Sequence, residues 1–487
     1  MIWAILLLPA LSGGVCAILR HHRLRRGLLI ATAVAQAAMV AACWIWHPSP
    51  TAGGWLELDS TGLLFLSITT ALFLVAAFYA AGYLASQGDE RVTDYEEGFL
   101  FTNSPQAAFT ACLLVFLATM SLTAVSRNLG LLWVAVETTT LASAPLIYFH
   151  RHHRSLEATW KYLLICSVGI ALAMLGNFFL AVAGATSGAH LTMESMLAHA
   201  ASLDPMWLKA AFILCLVGYG TKMGLTPMHT WLPDAHSEAP SLVSALLSGA
   251  LLNCAFLAIL RVHTITSAAG MADFSGSLLV LLGLVSMAVA AIFIVHQVDF
   301  KRMLAYSSVE NMGILALGVG AGGVAAAGSM FHAVNHSLIK AMLFLVAGNI
   351  LASYHTKSCP QIRGLLQGRP ASGVLWLAGL LAVAGFPPFG SFMSELAILQ
   401  GLLADHRYLV ATAYLAALGV AFAAMARIIL PMVFGTRTPE VCATPAPGRE
   451  PLWAVAPPAA LCAAALTLGV YMPPWLDAVL KQAAGGH

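Results

Sequence analysis

The stretch LCLVGYGTKMGLTPMHTWLPDAHSEAP, residues 214–240, decides the fold, because it begins as membrane helix and then breaks two of a membrane helix's rules. Lys222 places an ammonium in an apolar run, and Pro227 follows it within about one and a half helical turns. Proline supplies no amide, so the carbonyl of Met223, beside the lysine, loses its helical donor. Backbone that is not helical at that depth is tolerated only inside protein or around a water-filled cavity. Both irregularities are therefore accounted for by one hydrated lysine inside a bundle of membrane helices.

Composition carries this reading along the whole chain. Apolar residues make up 60% of the 487 positions and charged residues only 9%, against about 25% charged in soluble domains. A net charge of +2, with the charges scattered, excludes a nucleic-acid partner. The nine cysteines form no CxxC and read as small core residues, not as iron–sulfur ligands or disulfides. The seventeen histidines show no zinc spacing, and HRHH at 150–153 reads as a basic loop. GxGxxG and P-loop motifs are absent, so no cofactor, no metal and no catalytic residue is expected. The first apolar run starts at Ile2 with its arginines behind it, which predicts an uncleaved span with the N-terminus outside.

Spans need about 20 apolar residues. Fourteen are predicted, at approximately 2–19, 27–46, 61–85, 107–126, 128–149, 160–185, 206–227, 240–262, 274–296, 302–322, 325–353, 372–401, 408–434 and 452–475. The tenth and eleventh are nearly fused by GVGAGGVAAAG. With the N-terminus outside, inward loops hold Arg20, Arg23, Arg25, Arg26, Arg91, Arg151, Arg154, Lys161, Lys301, Arg302, Lys357, Arg363, Arg369, Arg437 and Arg449. Outward segments hold only Arg127, Lys209, Arg261, Arg407 and Lys481, so both termini are expected on the outer side. The inward segment 86–106 is acidic, but carboxylates weigh little in this rule.

The chain also repeats itself weakly. KYLLICSVG at 161–169 resembles KAMLFLVAG at 340–348, and GLTPMHTWLPD at 224–234 resembles GFPPFGSFMSE at 385–395. The second match sets Pro227 against Pro388 and Asp234 against Glu395. Proline-broken spans at corresponding places point to a transport site. Units of five spans each, 4–8 and 9–13, enter the membrane from opposite sides and are therefore inverted. Four regions follow: 1–106 with spans 1–3, 107–265 and 266–434 as the two repeats, and 435–487 as a loop and span 14. The predicted class is an all-α polytopic membrane protein with spans 7 and 12 broken.

A charge at the bilayer centre costs about 2.5–3.5 kcal/mol on insertion scales, so each one needs a partner or a task. Glu137 lies inside NLGLLWVAVETTTLASAPLIYF, and an ion pair with Lys222 is the economical arrangement; the plainer alternative is a static bridge. Moving the carboxylate away loosens the lysine's hold on its proton, which makes Lys222 a switchable proton site. In FHAVNHSLIKAMLFLVAG, His332, His336 and Lys340 recur every fourth residue and share one helix face, as a relay would require. Glu395 follows the second break as the last polar stop of the second half. Asn253, Tyr219 and Ser307, with Thr221, Ser244, Ser308, Asn311 and Asn335, are candidates to anchor water. Asp234, His236 and Glu238 fall in an expected inward loop, as a proton entrance or as helix caps.

At these residues the sequence resembles a known family. GTKMGLTPMHTWLPDAHSEAP, FKRMLAYSSVENMG, FHAVNHSLIKAMLFLVAGN and GFPPFGSFMSE look like the antiporter-like subunits of complex I, multisubunit sodium/proton antiporters and membrane-bound [NiFe]-hydrogenases. The likeness spans about residues 60–435, and the segment from Asn128 to Leu172 most resembles the hydrogenase-4 F-type branch. The resemblance implies fourteen helices with inverted units. It makes Glu137 and Lys222 the family's glutamate–lysine pair and puts His332, His336 and Lys340 on the span-11 positions. Glu395 falls on a span-12 position that is lysine in some members. Two departures stand out: Asn253 where some relatives carry a lysine, and too little chain after span 14 for a long lateral helix.

The expected function is a non-catalytic, proton-translocating subunit of an energy-converting oxidoreductase complex. Its partners would be other membrane subunits and the lipid bilayer of a bacterial-type cytoplasmic membrane, its cargo protons or sodium. The alternatives are a cation/proton antiporter without redox coupling, an ion-coupled inorganic-carbon uptake complex, and a scaffold of static ion pairs.

Overall fold

The structure is a computed structural model that describes residues 1–86, 92–93, 98–436 and 449–485. Arg91 and Arg437, counted above with the inward loops, lie outside the described residues, as does most of the acidic part of segment 86–106. The helices are α1 (Ile2–Ile18), α2 (His22–Cys43), α3 (Ser60–Ser86), α4 (Gln106–Val125), α5 (Leu129–Ile147), α6 (His153–Gly184) and α7 (Met193–Ala198). Next come α8 (Pro205–Met223), α9 (Trp231–Glu238), α10 (Ser241–Leu246), α11 (Leu252–Thr266), α12 (Ala272–Ile294), α13 (Phe300–Ala321) and α14 (Gly323–Tyr354). The chain continues with α15 (Leu365–Gly368), α16 (Pro370–Val383), α17 (Gly390–Ala404), α18 (Tyr408–Phe434), α19 (Leu452–Val470) and α20 (Pro474–Ala483). A two-residue antiparallel pairing, β1 (Val92–Thr93) with β2 (Leu100–Phe101), is a minor addition.

Ten helical stretches among the described residues are long and apolar enough to cross a membrane. One of them, Ser241–Ile294, has 54 residues, or about 80 Å of helix, more than twice a hydrocarbon core. It holds two passes, α10–α11 and α12, with a kink at Gly270, whose φ is 79°. Adding α1, α13 and the broken pair α16–α17 gives the fourteen passes that the hydropathy pattern predicts. Single-residue separation of α13 from α14 by Gly322, at φ 82°, matches the near-fusion of spans ten and eleven. Large apolar side chains such as Ile18, Val168 and Leu409 lie exposed on the outside, the surface that lipid covers. This is a multi-pass membrane protein.

Interior packing is mostly apolar, and the buried polar groups include one seam of ionisable side chains. Lys222, Asn253, Glu310, His332, His336, Lys340 and Glu395 are all buried. The helices that carry the seam start firmly. Asn128 caps α5, Asp204 caps α8 ahead of Pro205, and Asp299 caps α13, each satisfying amides that a helix start leaves open. After the last pass, α20 folds back so that Leu476 and Leu480 are buried and Trp475 meets Trp44 edge-on at 5.0 Å.

Candidate buried ionisable site

The two helix breaks share one backbone geometry. α8 ends at Gly224, with φ 85°, and α16 is followed by Gly385, with φ 64°. In each break the amide after the glycine turns back to a carbonyl five residues earlier: Leu225 to Gly220 at 2.9 Å, Phe386 to Leu381 at 2.9 Å. Three residues further on, Met228 donates to Leu225 and Phe389 to Phe386, both at 3.0 Å. Thr226–Pro227 and Pro387–Pro388 are both cis. The glycine, not the proline, therefore ends each helix, because only glycine takes positive φ without penalty and so closes a Schellman-type cap. This corrects the expectation that Pro227 itself makes the break; Pro227 and Pro388 hold the linker that follows. Neither glycine has space for a side chain: a Cβ on Gly385 would lie 2.0 Å from Glu395 Oε2, and one on Gly224 would lie 2.6 Å from Leu232 Cδ1.

At the first break Lys222 is 0% exposed. Its ammonium donates to Thr140 Oγ1 at 2.8 Å and to the Tyr162 hydroxyl, and it lies 4.4 Å from the Tyr162 ring centroid. Hydrogen bonds to a charged group contribute about 1.5–3 kcal/mol each, and a desolvated cation–π contact about 2 kcal/mol. Together they offset a burial penalty of several kcal/mol per ion. The direct ion pair with Glu137 is not formed. Thr140, one turn along α5, stands between the two groups and donates to Glu137 Oε2 at 3.4 Å. Glu137 is only partly buried, because Ser167 of α6 draws its other oxygen outward with a 3.1 Å bond. Around it the surface is apolar, with Leu141, Leu164 and Val168 exposed.

The middle of the seam is built by a π-helical turn, Leu247–Leu251, between α10 and α11. Such a turn shifts the backbone bonds and leaves carbonyls open to side chains. Ser248 O thus receives His336 Nε2 at 3.3 Å, and Gly249 O receives Asn253 Nδ2 at 3.0 Å. Asn253 also donates to Ser337 of α14 at 2.7 Å, and neither its Oδ1 nor the Tyr219 hydroxyl on α8 has a hydrogen-bond partner among the described residues.

On α14, His332 joins two helices through Nε2 to Asn311 Oδ1 and Nδ1 to Ser394 Oγ, both at 3.0 Å. Lys340 donates to Leu304 O at 3.1 Å and to Ser307 Oγ, so Ser307 holds the ammonium directly instead of through water. His332, His336 and Lys340 line one cleft with Asn311 and Ser391, and in this conformation it leaves no room for a water molecule. Glu395 lies against Gly385 at the second break.

The segment expected to be an inward loop is helix α9. Its polar ends are secured: Asp234 pairs with Lys161 at 2.9 Å and with Arg302, and Glu238 pairs with Lys357 at 2.9 Å. Lys301 closes the end of α9 by donating to Ser237 O at 3.0 Å and Ala239 O at 2.6 Å. The loop reading fails because WLPDAHSE buries Trp231, Leu232 and His236 on one side, an amphipathic pattern. His236 is fully buried and stacked on Phe344 at 4.8 Å, and neither ring nitrogen has a hydrogen-bond partner among the described residues. HRHH is likewise more than a basic loop. His152 caps α6 by accepting from Ser155 N at 3.1 Å, and burial, then the Lys301 charge, push His150 down to about 3, so it stays neutral at physiological pH.

Three participants escape a reading of the sequence. Thr140 and Tyr162 have no signal beyond being polar residues in apolar spans. Glu310 has one: it is a carboxylate inside span 10, and it is 2% exposed.

Residues 126–420 match the family described as NADH:quinone oxidoreductase/Mrp antiporter, transmembrane. The chain belongs to that family. A hydrogenase-4 component F homolog from Methylacidiphilum infernorum (isolate V4) is 38% identical over 72% of this chain and 73% of its own length. Hydrogenase-4 component B of Escherichia coli (strain K12) is 30% identical over 72% of this chain, which spans 51% of that relative. A chain in the structure of the Mrp complex from Dietzia sp. DQ12-45-1b superposes with a TM-score of 0.85 at 22% identity, covering 99% of this chain and 96% of that one. The protein is an antiporter-like membrane subunit of the complex I and group 4 hydrogenase kind.

Proposed function

We propose that the chain moves protons through the buried seam, as one subunit of an energy-converting oxidoreductase complex. Protons reach the interior near α9 and His236, load Lys222, pass the α11–α14 contacts at Asn253 and His336 to Lys340, and leave by Glu395. Glu137 governs the loading of Lys222 through Thr140. The carrying observation is the Lys222–Thr140–Glu137 chain, with a buried ammonium at one end and a partly exposed carboxylate at the other. A carboxylate set in an apolar outer face is costly against lipid, which supports a second membrane subunit covering α5 and α6. The matched breaks support two inverted units at 107–265 and 266–434, and the lysine and arginine distribution supports a bacterial-type cytoplasmic membrane with both termini outside.

The likeness to the Mrp complex favours a second reading, a cation/proton antiporter subunit without redox coupling. Purification of the native complex separates the two: a nickel–iron subunit supports the first, and antiporter subunits alone support the second. In vesicles containing the complex, Lys222→Ala is expected to lower proton movement about 10²-fold or more while assembly persists. Unchanged pumping removes Lys222 from the mechanism.

A further inference from the structure

Between Lys340 and Glu395 the relay just described has no charged carrier, and the structure offers one that it does not use. Glu310 is on α13, buried, and makes no hydrogen bond or ion pair with any described residue. Its position is nevertheless closely defined. Ser307, which accepts from the Lys340 ammonium, precedes it by three residues and shares its helix face. Asn311, the next residue, and Ser394, the residue before Glu395, are held by the two nitrogens of His332, each at 3.0 Å. One imidazole thus ties together the side chains of the residues next to both carboxyls.

The electrostatics put the three groups in order. Glu310 is the carboxyl whose field reaches the Lys340 ammonium, and it is also the charge whose field reaches Glu395. Tyr414 closes the far side, its hydroxyl donating to Glu395 O at 3.4 Å and lying in the field of both carboxyls. The titratable groups in electrostatic reach of Glu310 are therefore Lys340 from α14, Glu395 from α17 and Tyr414 from α18, with His332 bonded to its neighbour Asn311. Within its unit Glu310 holds the rank that Glu137 holds in the other: WVAVE at 133–137 and YSSVE at 306–310 each end in a carboxylate on the second of five spans.

We infer that Glu310 is a proton-carrying residue, the step between Lys340 and Glu395. This rests on the transport reading above. A proton leaves Nζ of Lys340, giving a neutral amine, and joins the Glu310 carboxylate, giving a neutral acid. That acid then passes a proton to the Glu395 carboxylate and is charged again. Glu310 makes no hydrogen bond or ion pair with any described residue, so rotation of its side chain, or one inserted water, carries it between the two neighbours.

The test uses the intact complex in vesicles, with wild type, Glu310→Gln, Glu310→Asp and Glu310→His compared for assembly and for proton movement across a range of pH. Glu310→Gln, which keeps shape and loses the titratable group, is expected to lower transport about tenfold or more. Glu310→Asp is expected to recover part of the rate, and Glu310→His to move the pH profile. Wild-type transport in Glu310→Gln overturns the assignment. Should that variant not assemble, the other two decide: an unshifted pH profile in assembled Glu310→His overturns the assignment, and a shifted one supports it. If the wild-type complex itself moves no protons, the transport reading falls and this step falls with it.

Discussion

Lys222 and Lys340 are both fully buried ammoniums on broken or interrupted machinery, but different chemistry holds them. Lys222 is met by two hydroxyls and an aromatic face, and its carboxylate stands one residue away, partly open at the surface of α5 and α6. Lys340 is met by a backbone carbonyl and a serine, and the carboxyls near it, Glu310 and then Glu395, are buried. The difference lies in where control resides. In the first half the charge that stabilises the ammonium sits where a neighbouring subunit can touch it. In the second half every such charge lies inside the chain. On the proposed function, a signal from a partner would enter at Glu137 and spread inward.

If that contrast is correct, the bridging threonine matters more than its modest chemistry suggests. Thr140→Val keeps the shape of the side chain and removes the hydroxyl that both Lys222 and Glu137 use. Loss of a hydrogen bond to a charged group is worth about 1.5–3 kcal/mol, so transport in vesicles is expected to fall about tenfold or more. A direct Glu137–Lys222 pair would leave the rate near wild type. Such a result would erase the distinction between the two lysines.

The second half is probed more gently by His336→Ala. His336 spans from α14 to the carbonyl of Ser248 with one nitrogen, while its other nitrogen has no hydrogen-bond partner among the described residues. A neutral hydrogen bond contributes about 1 kcal/mol, and its loss next to the uncharged Asn253 is expected to slow transport roughly fivefold. Measured at saturating driving force, an unchanged rate would take His336 out of the seam and leave Lys340 to be reached by another path.

Much of this was legible before any coordinates. Every apolar run became a helix or broken helix, because hydrocarbon leaves the backbone few other options. Lys222, His332, His336, Lys340 and Glu395 announced themselves as polar groups at depth. Hydrophobicity could not reveal how they are joined. The Thr140 bridge depends on the α5 rotation that also turns Glu137 outward, and Tyr162 arrives from α6 by packing. The carbonyl that receives His336 exists only because α10 and α11 meet through a π-helical turn. Gly224 and Gly385 ended the helices where proline drew attention, since positive φ leaves no mark in a hydropathy pattern. Glu310 was the one legible group left unread: the cost that singled out Glu137 applies to it equally.

The smallest effect is expected at Asp234, and it separates an entrance from a fastening. Lys161 and Arg302, its partners, are both 45% exposed, and Asp234 itself is 18% exposed. Ion pairs of that exposure contribute about 0.2–1 kcal/mol each. Asp234→Asn leaves an acceptor for only one of the two cations and removes the attraction, so the purified complex should melt about 2 °C lower or less. Transport should stay within about twofold, because the two ion pairs of Asp234 fasten α9 to α6 and α13. The proposed route instead enters at His236, buried on the same helix. A tenfold loss of transport in Asp234→Asn with unchanged melting would reverse that order and move the entrance to the ion-pair cluster at the surface of α9.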